Sequence, residues 1–226
     1  MGFQIAIDGP SGSGKSSVAR ALTAELGFIY IDTGAMYRTV GLYALRQGID
    51  PADEEAVTAA LSHIRIRAVC ENAVQQIYLE GEDVTDAIRT QAVADASSKV
   101  AVMPAVREKL VELQRALARD HQVIMDGRDI GTHVLPGADV KIYLDASPDT
   151  RAQRRCRELD GLQLPYDFDT IKRETIARDH NDMNRRHSPL RKAQDAIVMD
   201  TSKMSFDQVK SSILAMVRQK LEERGQ

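Results

Sequence analysis

Five short apolar runs, each closed by an acid, punctuate the chain: FQIAID (3–8), FIYID (28–32), VIMD (123–126), VKIYLD (140–145) and AIVMD (196–200). Each has the length of a strand, is rich in Ile and Val, and lacks the alternation of a sheet with one wet face. Parallel strands covered on both sides read this way. Helical patterns separate most of the runs. Val18, Leu22 and Leu26 recur at four-residue spacing, and Gly27 stands where a C-terminal cap belongs. Val106, Leu110, Leu113 and Leu117 line one face of a helix opened by Pro104, and Val209, Ile213 and Met216 do the same near 205–222. Strands alternating with helices predict an α/β fold: a five-stranded parallel sheet flanked by helices.

One region breaks the rhythm. IRIRAV (64–69) alternates apolar and polar residues, and QIYLEGEDVT (76–85) follows after a polar turn, so a small antiparallel excursion is expected there. Residues 60–100 are therefore read as a small α+β insert on a core formed by 1–59 and 101–226. The segment 151–187 is unusual in another way, holding Arg151, Arg154, Arg155, Arg157, Arg173, Arg178, Arg185 and Arg186.

Bulk properties narrow the function. A chain of 226 residues suits one domain, and its formal net charge of −3 argues against a general polyanion binder. Aromatic residues make up only 4%, too few for a stacking platform, so nucleic acid is not an expected partner. Cys70 and Cys156 stand alone, without metal-ligand spacing or a disulfide framework. Neither a secretory leader nor an apolar run of spanning length is visible, and Ala6 stands where a myristoylation motif wants Ser or Thr. A cytoplasmic, monomeric protein with no membrane association is expected.

GPSGSGKS (9–16) follows the first strand and opens the first helix. It fits the pattern G-x-x-x-x-G-K-[ST], in which a glycine-rich backbone curls its N–H groups around phosphate oxygens. Gly9, Pro10, Ser11, Gly12, Ser13 and Gly14 would form the cradle, with Ser17 in the helix that follows. Lys15, expected to face solvent, adds a point charge, and the Ser16 hydroxyl suits Mg²⁺. A Gly/Ser-rich turn with a chance lysine is the bland alternative; the strand before and the helix after count against it. The N-K-x-D guanine reader of a GTPase is missing, and a motor or AAA-type ATPase would be larger. What remains is a small kinase with a second substrate.

Other motifs fall at the same strand ends. IDTGAMYR (31–38) offers Asp32, Thr33 and Arg38; VIMDGRDIGT (123–132) offers Arg128 and Asp129. RDHNDMNR (178–185) places Arg178, Asp182 and Arg185 on one helical face. Taken alone, Arg178 and Asp182 would be a surface ion pair of small energy, Arg38 solvated helix surface, and Asp126 a turn cap. Convergence on the carboxyl edge of a parallel sheet, where ligands bind, weakens those readings.

GPSGSGKS, DTGAMYR, EGEDVT with IRT, SSKVA, DGRDIGT, KIYLDAS and the R-D-x-x-D-x-x-R helix, in this order over nearly the whole chain, resemble the bacterial cytidylate kinase family of P-loop nucleoside monophosphate kinases. The resemblance implies ATP-dependent phosphorylation of CMP and dCMP with Mg²⁺. It makes residues 60–100 the monophosphate-binding insert and the arginine-rich helical segment 151–165 a lid. Lys15, Arg128 and Arg185 become catalytic residues. Arg38, Arg128 and Arg185 would hold the acceptor phosphate. Asp182 and Arg178 would contact the ribose, and Ser98, Arg107 and Asp129 the cytosine edge. Asp32 and Thr33 belong to the same acceptor site. Arg154 and Arg157 would close over ATP. A kinase for UMP, dTMP or shikimate would differ in its acceptor; a regulatory module would bind ATP without transferring its phosphate.

Overall fold

The computed structural model describes residues 2–71, 74–119 and 121–225. Strand β1 (Gln4–Asp8) leads through residues 9–14 into helix α1 (Lys15–Leu26), which Gly27 closes in the left-handed conformation with its N–H on the Thr23 carbonyl. β2 (Ile29–Asp32) passes directly into α2 (Thr33–Arg46), and α3 (Glu54–Ala60) follows. Next come β3 (Ile66–Glu71), β4 (Val74–Leu79) and the two-residue β5 (Glu82–Asp83), then α4 (Gln91–Val100) and α5 (Pro104–Ala118). The remainder alternates β6 (Val123–Gly127), β7 (Val140–Asp145), α6 (Pro148–Gly161), α7 (Phe168–Asn184), β8 (Ile197–Asp200) and α8 (Phe206–Glu223).

The five acid-terminated runs form one parallel sheet in the order β2-β6-β1-β7-β8. Its register puts the closing acids on a single edge: Asp32 lies opposite Asp126, Asp145 opposite Asp200, and Asp8 opposite Gly127. Side chains alternate across the pleat, so successive residues enter different cores. Ile5, Ile7 and Ile124 pack with Val18 and Leu22 of α1 and Val209, Ile213 and Val217 of α8. Ala6, Val123 and Met125 face Met36 and Val40 of α2 and Val106 and Leu110 of α5. Each such buried aliphatic side chain contributes roughly 1.5–3 kcal/mol relative to exposure. With both faces covered, the carboxyl edge is the face left for a ligand.

Two details differ from the sequence reading. Val217, not Met216, completes the buried stripe of α8; Met216 is only partly buried. β8 is apolar yet is not covered on both faces: Ile197 and Val198 are half exposed because β8 is the edge strand, and only Met199 reaches the core.

The expected antiparallel excursion is present as the three-stranded sheet β3-β4-β5. Ile77 and Leu79 of β4 share one apolar cluster with Met36, Val100 and Leu110, so this sheet shares a core with the helices on that face. Among the described residues, no helix is long and apolar enough to cross a membrane. Cys156 is a free, buried thiol; the side chain of Cys70 lies outside those described.

Candidate active site

Gly9 begins the loop between β1 and α1 with φ +147°, and a Cβ there would lie 2.0 Å from the Leu144 carbonyl oxygen of β7, so only glycine fits. Gly14 sits in the left-handed region (φ +98°) as the N-cap of α1, with no side chain capping the helix. The first-turn N–H groups of α1 are thus available to an anion, with the positive end of the helix dipole behind them. Ser13 is buried, whereas Gly12 and Ser17 are exposed.

Lys15 does not face solvent. It is 5% exposed and folds back on the loop, donating to the Pro10 carbonyl at 2.6 Å and to Ser13 Oγ at 3.3 Å. Burial, reinforced by the nearby Arg128 guanidinium, pulls its pKa down to about 7.

Beneath the loop lie two strand-terminal acids. Asp8 accepts from the backbone N–H groups of Ile130 and Gly131, both at 2.8 Å, and burial pushes its pKa up to about 6. That carboxylate fixes the segment carrying Arg128 and Asp129. Asp126 accepts from Ser16 Oγ at 2.7 Å and from the Tyr30 hydroxyl at 2.8 Å, and burial raises its pKa. Its role is more central than a turn cap, and its link to Ser16 was not legible in the sequence. The adjacent register of β2, β6 and β1 brings these acids together, and strand order cannot be read from local pattern.

On the same edge, Arg38, Arg107, Arg128, Arg178 and Arg185 converge from four different parts of the chain. Arg38 on α2 pairs with Asp32 at 2.9 Å; Asp32 also caps α2 through the Ala35 N–H. Arg128 donates to Asp182 of α7 at 2.7 Å. Asp129 is buried and accepts from Arg107 of α5 and, at 3.5 Å, from Arg185. Arg178 pairs with no carboxylate among the described residues. Its Nε is buried without a hydrogen-bond partner, and burial beside Arg128 depresses its pKa. The surface pair between Arg178 and Asp182, the reading each would have if taken alone, is not formed; Asp182 accepts from Arg128 instead. Five guanidiniums outnumber the three carboxylates they pair with, an imbalance suited to an anion.

Thr33 is buried at this edge with its hydroxyl on the Asp126 carbonyl, tying β2 to β6. Ser98 on α4 is exposed, and its hydroxyl returns to the Ala94 carbonyl of its own helix. Of the lid arginines, Arg154 lies against the phosphate loop, donating to the Gly12 carbonyl at 3.3 Å and the Thr201 carbonyl at 2.9 Å. Arg157 is exposed. Arg151, assigned no role from the sequence, is 3% exposed and donates to the Ser11 carbonyl at 3.0 Å.

A phosphate loop and a second cationic site, side by side on the carboxyl edge of a parallel sheet, are the marks of a P-loop phosphotransferase with two anionic substrates. A cytidylate kinase family model matches residues 5–219. The cytidylate kinase of Leuconostoc mesenteroides is 48% identical over 215 residues, covering 95% of this chain and 96% of that protein. That of Pelotomaculum thermopropionicum is 50% identical, covering 94% and 95%. This chain belongs to the cytidylate kinase family. Among solved structures, a gluconokinase from Sinorhizobium meliloti 1021 superposes with a TM-score of 0.51 at 14% identity, covering 99% of this chain and 98% of that one; the likeness concerns the fold alone.

Proposed function

We propose that the protein transfers the γ-phosphoryl group of ATP to CMP or dCMP, giving ADP and CDP or dCDP. The observation that carries this is the buried cluster of Arg107, Arg185 and Asp129 beside an arginine excess, one sheet strand away from the phosphate loop. An acceptor-only carboxylate next to a phosphate-sized cationic site matches a nucleotide whose base presents an amino donor, as cytosine does at N4.

The placement of these residues supports the following division of labour. Residues 9–17 hold the donor phosphates, with Lys15 moving from the Pro10 carbonyl to a phosphate oxygen. Arg38, Arg128 and Arg185 take the acceptor phosphate, each exchanging a carboxylate for it in whole or part. Arg178 and Asp182 serve the ribose; Asp129, Arg107 and Ser98 read the base; Asp32 and Thr33, where β2 passes into α2, belong to the same acceptor site, Asp32 by pairing with Arg38. Ser98 reaches the base only if α4 approaches. Arg154 closes over ATP, joined by Arg157.

Ser16 Oγ and the Asp126 carboxylate are hard oxygen donors 2.7 Å apart at the phosphate loop, a set that fits Mg²⁺. No group of three or more His, Cys, Asp or Glu among the described residues could hold a metal, so substrate oxygens would supply most of the remaining ligands. When bound, Mg²⁺ neutralises charge on the phosphates and fixes their orientation. The chain's own contribution is positioning and cationic stabilisation of the transferring group.

The test is an acceptor screen with ATP, Mg²⁺ and CMP, dCMP, UMP, dTMP or shikimate. CMP and dCMP are expected to be the fastest. A faster rate with UMP or dTMP overturns the base assignment; ATP binding without transfer to any acceptor makes the protein a binding module.

A further inference from the structure

Helix α7 is attached to the rest of the protein by charge. None of its residues is fully buried, although the side chains of Asp179 and of Arg185 at its C-terminal cap are largely covered. Lys172 pairs with Asp149, Asp179 with Arg151, Asp182 with Arg128, and Arg185, at its C-terminal cap, with Asp129. An element held by ion pairs, without an interlocked apolar face, shifts as a unit when those charges rearrange.

One of these pairs differs from the others in also gripping the phosphate loop. The Arg151 guanidinium, 3% exposed, donates from Nε to the Ala146 carbonyl (2.8 Å), from Nη1 to the Ser11 carbonyl (3.0 Å) and Asp179 Oδ1 (2.9 Å), and from Nη2 to Asp179 Oδ2. Its stem lies under Gly12, where an added Cβ would come within 3.2 Å of Arg151 Cβ. A single planar fork therefore holds the donor loop by a backbone carbonyl and α7 by a bidentate carboxylate. Asp179 neighbours Arg178 in the chain and lies one helical turn before Asp182. Movement of the Ser11 carbonyl on phosphate binding thus reaches the face of α7 that carries the acceptor-site residues.

We propose that Arg151 and Asp179 are a positioning pair that couples the two substrate sites, so that each substrate tightens the other. Neither residue touches a reacting atom; they act through Ser11 and α7. Coupling of this kind is reciprocal by thermodynamic necessity. The geometry depends on the arginine fork, which lysine cannot reproduce. The proposal rests on the phosphate loop being the ATP site and the arginine cluster the CMP site.

Calorimetry tests it. The dissociation constant of CMP is measured with and without a saturating non-hydrolysable ATP analogue and Mg²⁺, and that of the analogue with and without CMP. The wild-type ratio is expected to be about fivefold or more in both directions. Arg151→Lys and Asp179→Asn should bring it close to one, with each ligand's own affinity changed by less than about threefold. Lys172→Ala, which cuts a pair that does not reach the loop, should leave the ratio at the wild-type value. A lone buried charge can unfold a protein, whereas removing both partners of a buried pair is often tolerated. Arg151→Met combined with Asp179→Leu therefore provides a folded variant that should also lose the ratio. A wild-type ratio in the pair variants, or a ratio of one in the wild type with both ligands bound, overturns the coupling alone. Failure of the wild type to bind the analogue or CMP overturns the substrate assignment, and the coupling with it.

Discussion

Asp129 is the residue on which we propose that base choice turns. It is buried, it accepts from two guanidiniums, and as a carboxylate it offers only acceptor atoms to a base. Asp129→Asn keeps the shape and one acceptor oxygen for Arg107, but its amide can turn an NH₂ towards uracil O4. Both substrates should suffer from the weakened arginine pair, while kcat/KM for CMP relative to UMP should fall about 5- to 150-fold, the 1–3 kcal/mol of one good base contact. Steady-state kinetics with both acceptors at fixed ATP measures this; an unchanged ratio would leave Asp129 as a clamp for Arg107 and Arg185 only. At this scale the sequence was readable where a short motif fixes its own geometry, as in residues 9–16. It was unreadable where a role depends on a neighbour far along the chain. Nothing local says that Lys15 is buried, that Asp8 accepts from residues 130 and 131, or that Arg151 meets Asp179.

Among the elements, the five parallel strands and helices α1, α5 and α8 were legible because their hydrophobic periods differ, and the antiparallel sheet because 64–69 alternates; α2 and α3 were not read. β8 was half legible: its apolar run marks a strand, but edge position is a property of the whole sheet. The arginine cluster shows the same boundary. Arg38 comes from α2, Arg107 from α5, Arg128 from the loop after β6, and Arg178 and Arg185 from α7. The chain supplies the cations, and the fold alone decides that they meet. Arg38→Ala, Arg128→Ala and Arg185→Ala are each expected to reduce turnover about 30- to 1000-fold, the 2–4 kcal/mol of a charge-assisted contact to the transferring group. Rates within threefold of wild type for all three would return these residues to surface ion pairs. A further expectation belongs to the segment 60–100. Ser98 is exposed with its hydroxyl on Ala94, and we propose that α4 closes to bring it to the base. Hydrogen exchange in 60–100 should slow when CMP binds; unchanged exchange with CMP bound would make the segment scaffold.

For the molecule as a whole, two titrating groups beneath the phosphate loop tie global stability to pH, and their signs are opposite across the range. Asp8 holds its proton more tightly in the folded state, at about 6 against an ordinary 3.8, so the stability it contributes is complete below about 3.8 and is lost as pH rises through about 6. Lys15 holds its proton less tightly when folded, at about 7 against an ordinary 10.5. Its penalty is complete below about 7 and fades as pH climbs towards 10.5. Other carboxylates add their own slopes, so the lysine is isolated by difference. Lys15→Met should abolish transfer yet melt at or above the wild-type temperature at pH 7, because a desolvated charge is replaced by an apolar chain of similar length. The gap should narrow steadily between pH 7 and about 10 as the wild type sheds the same proton. An ATP analogue with Mg²⁺ should raise the wild-type melting temperature by mass action and leave the variant nearly unmoved. A variant less stable than wild type by the same margin at every pH would show that the bond from Lys15 to the Pro10 carbonyl outweighs the desolvation, and that the lysine is first a structural pin of the loop.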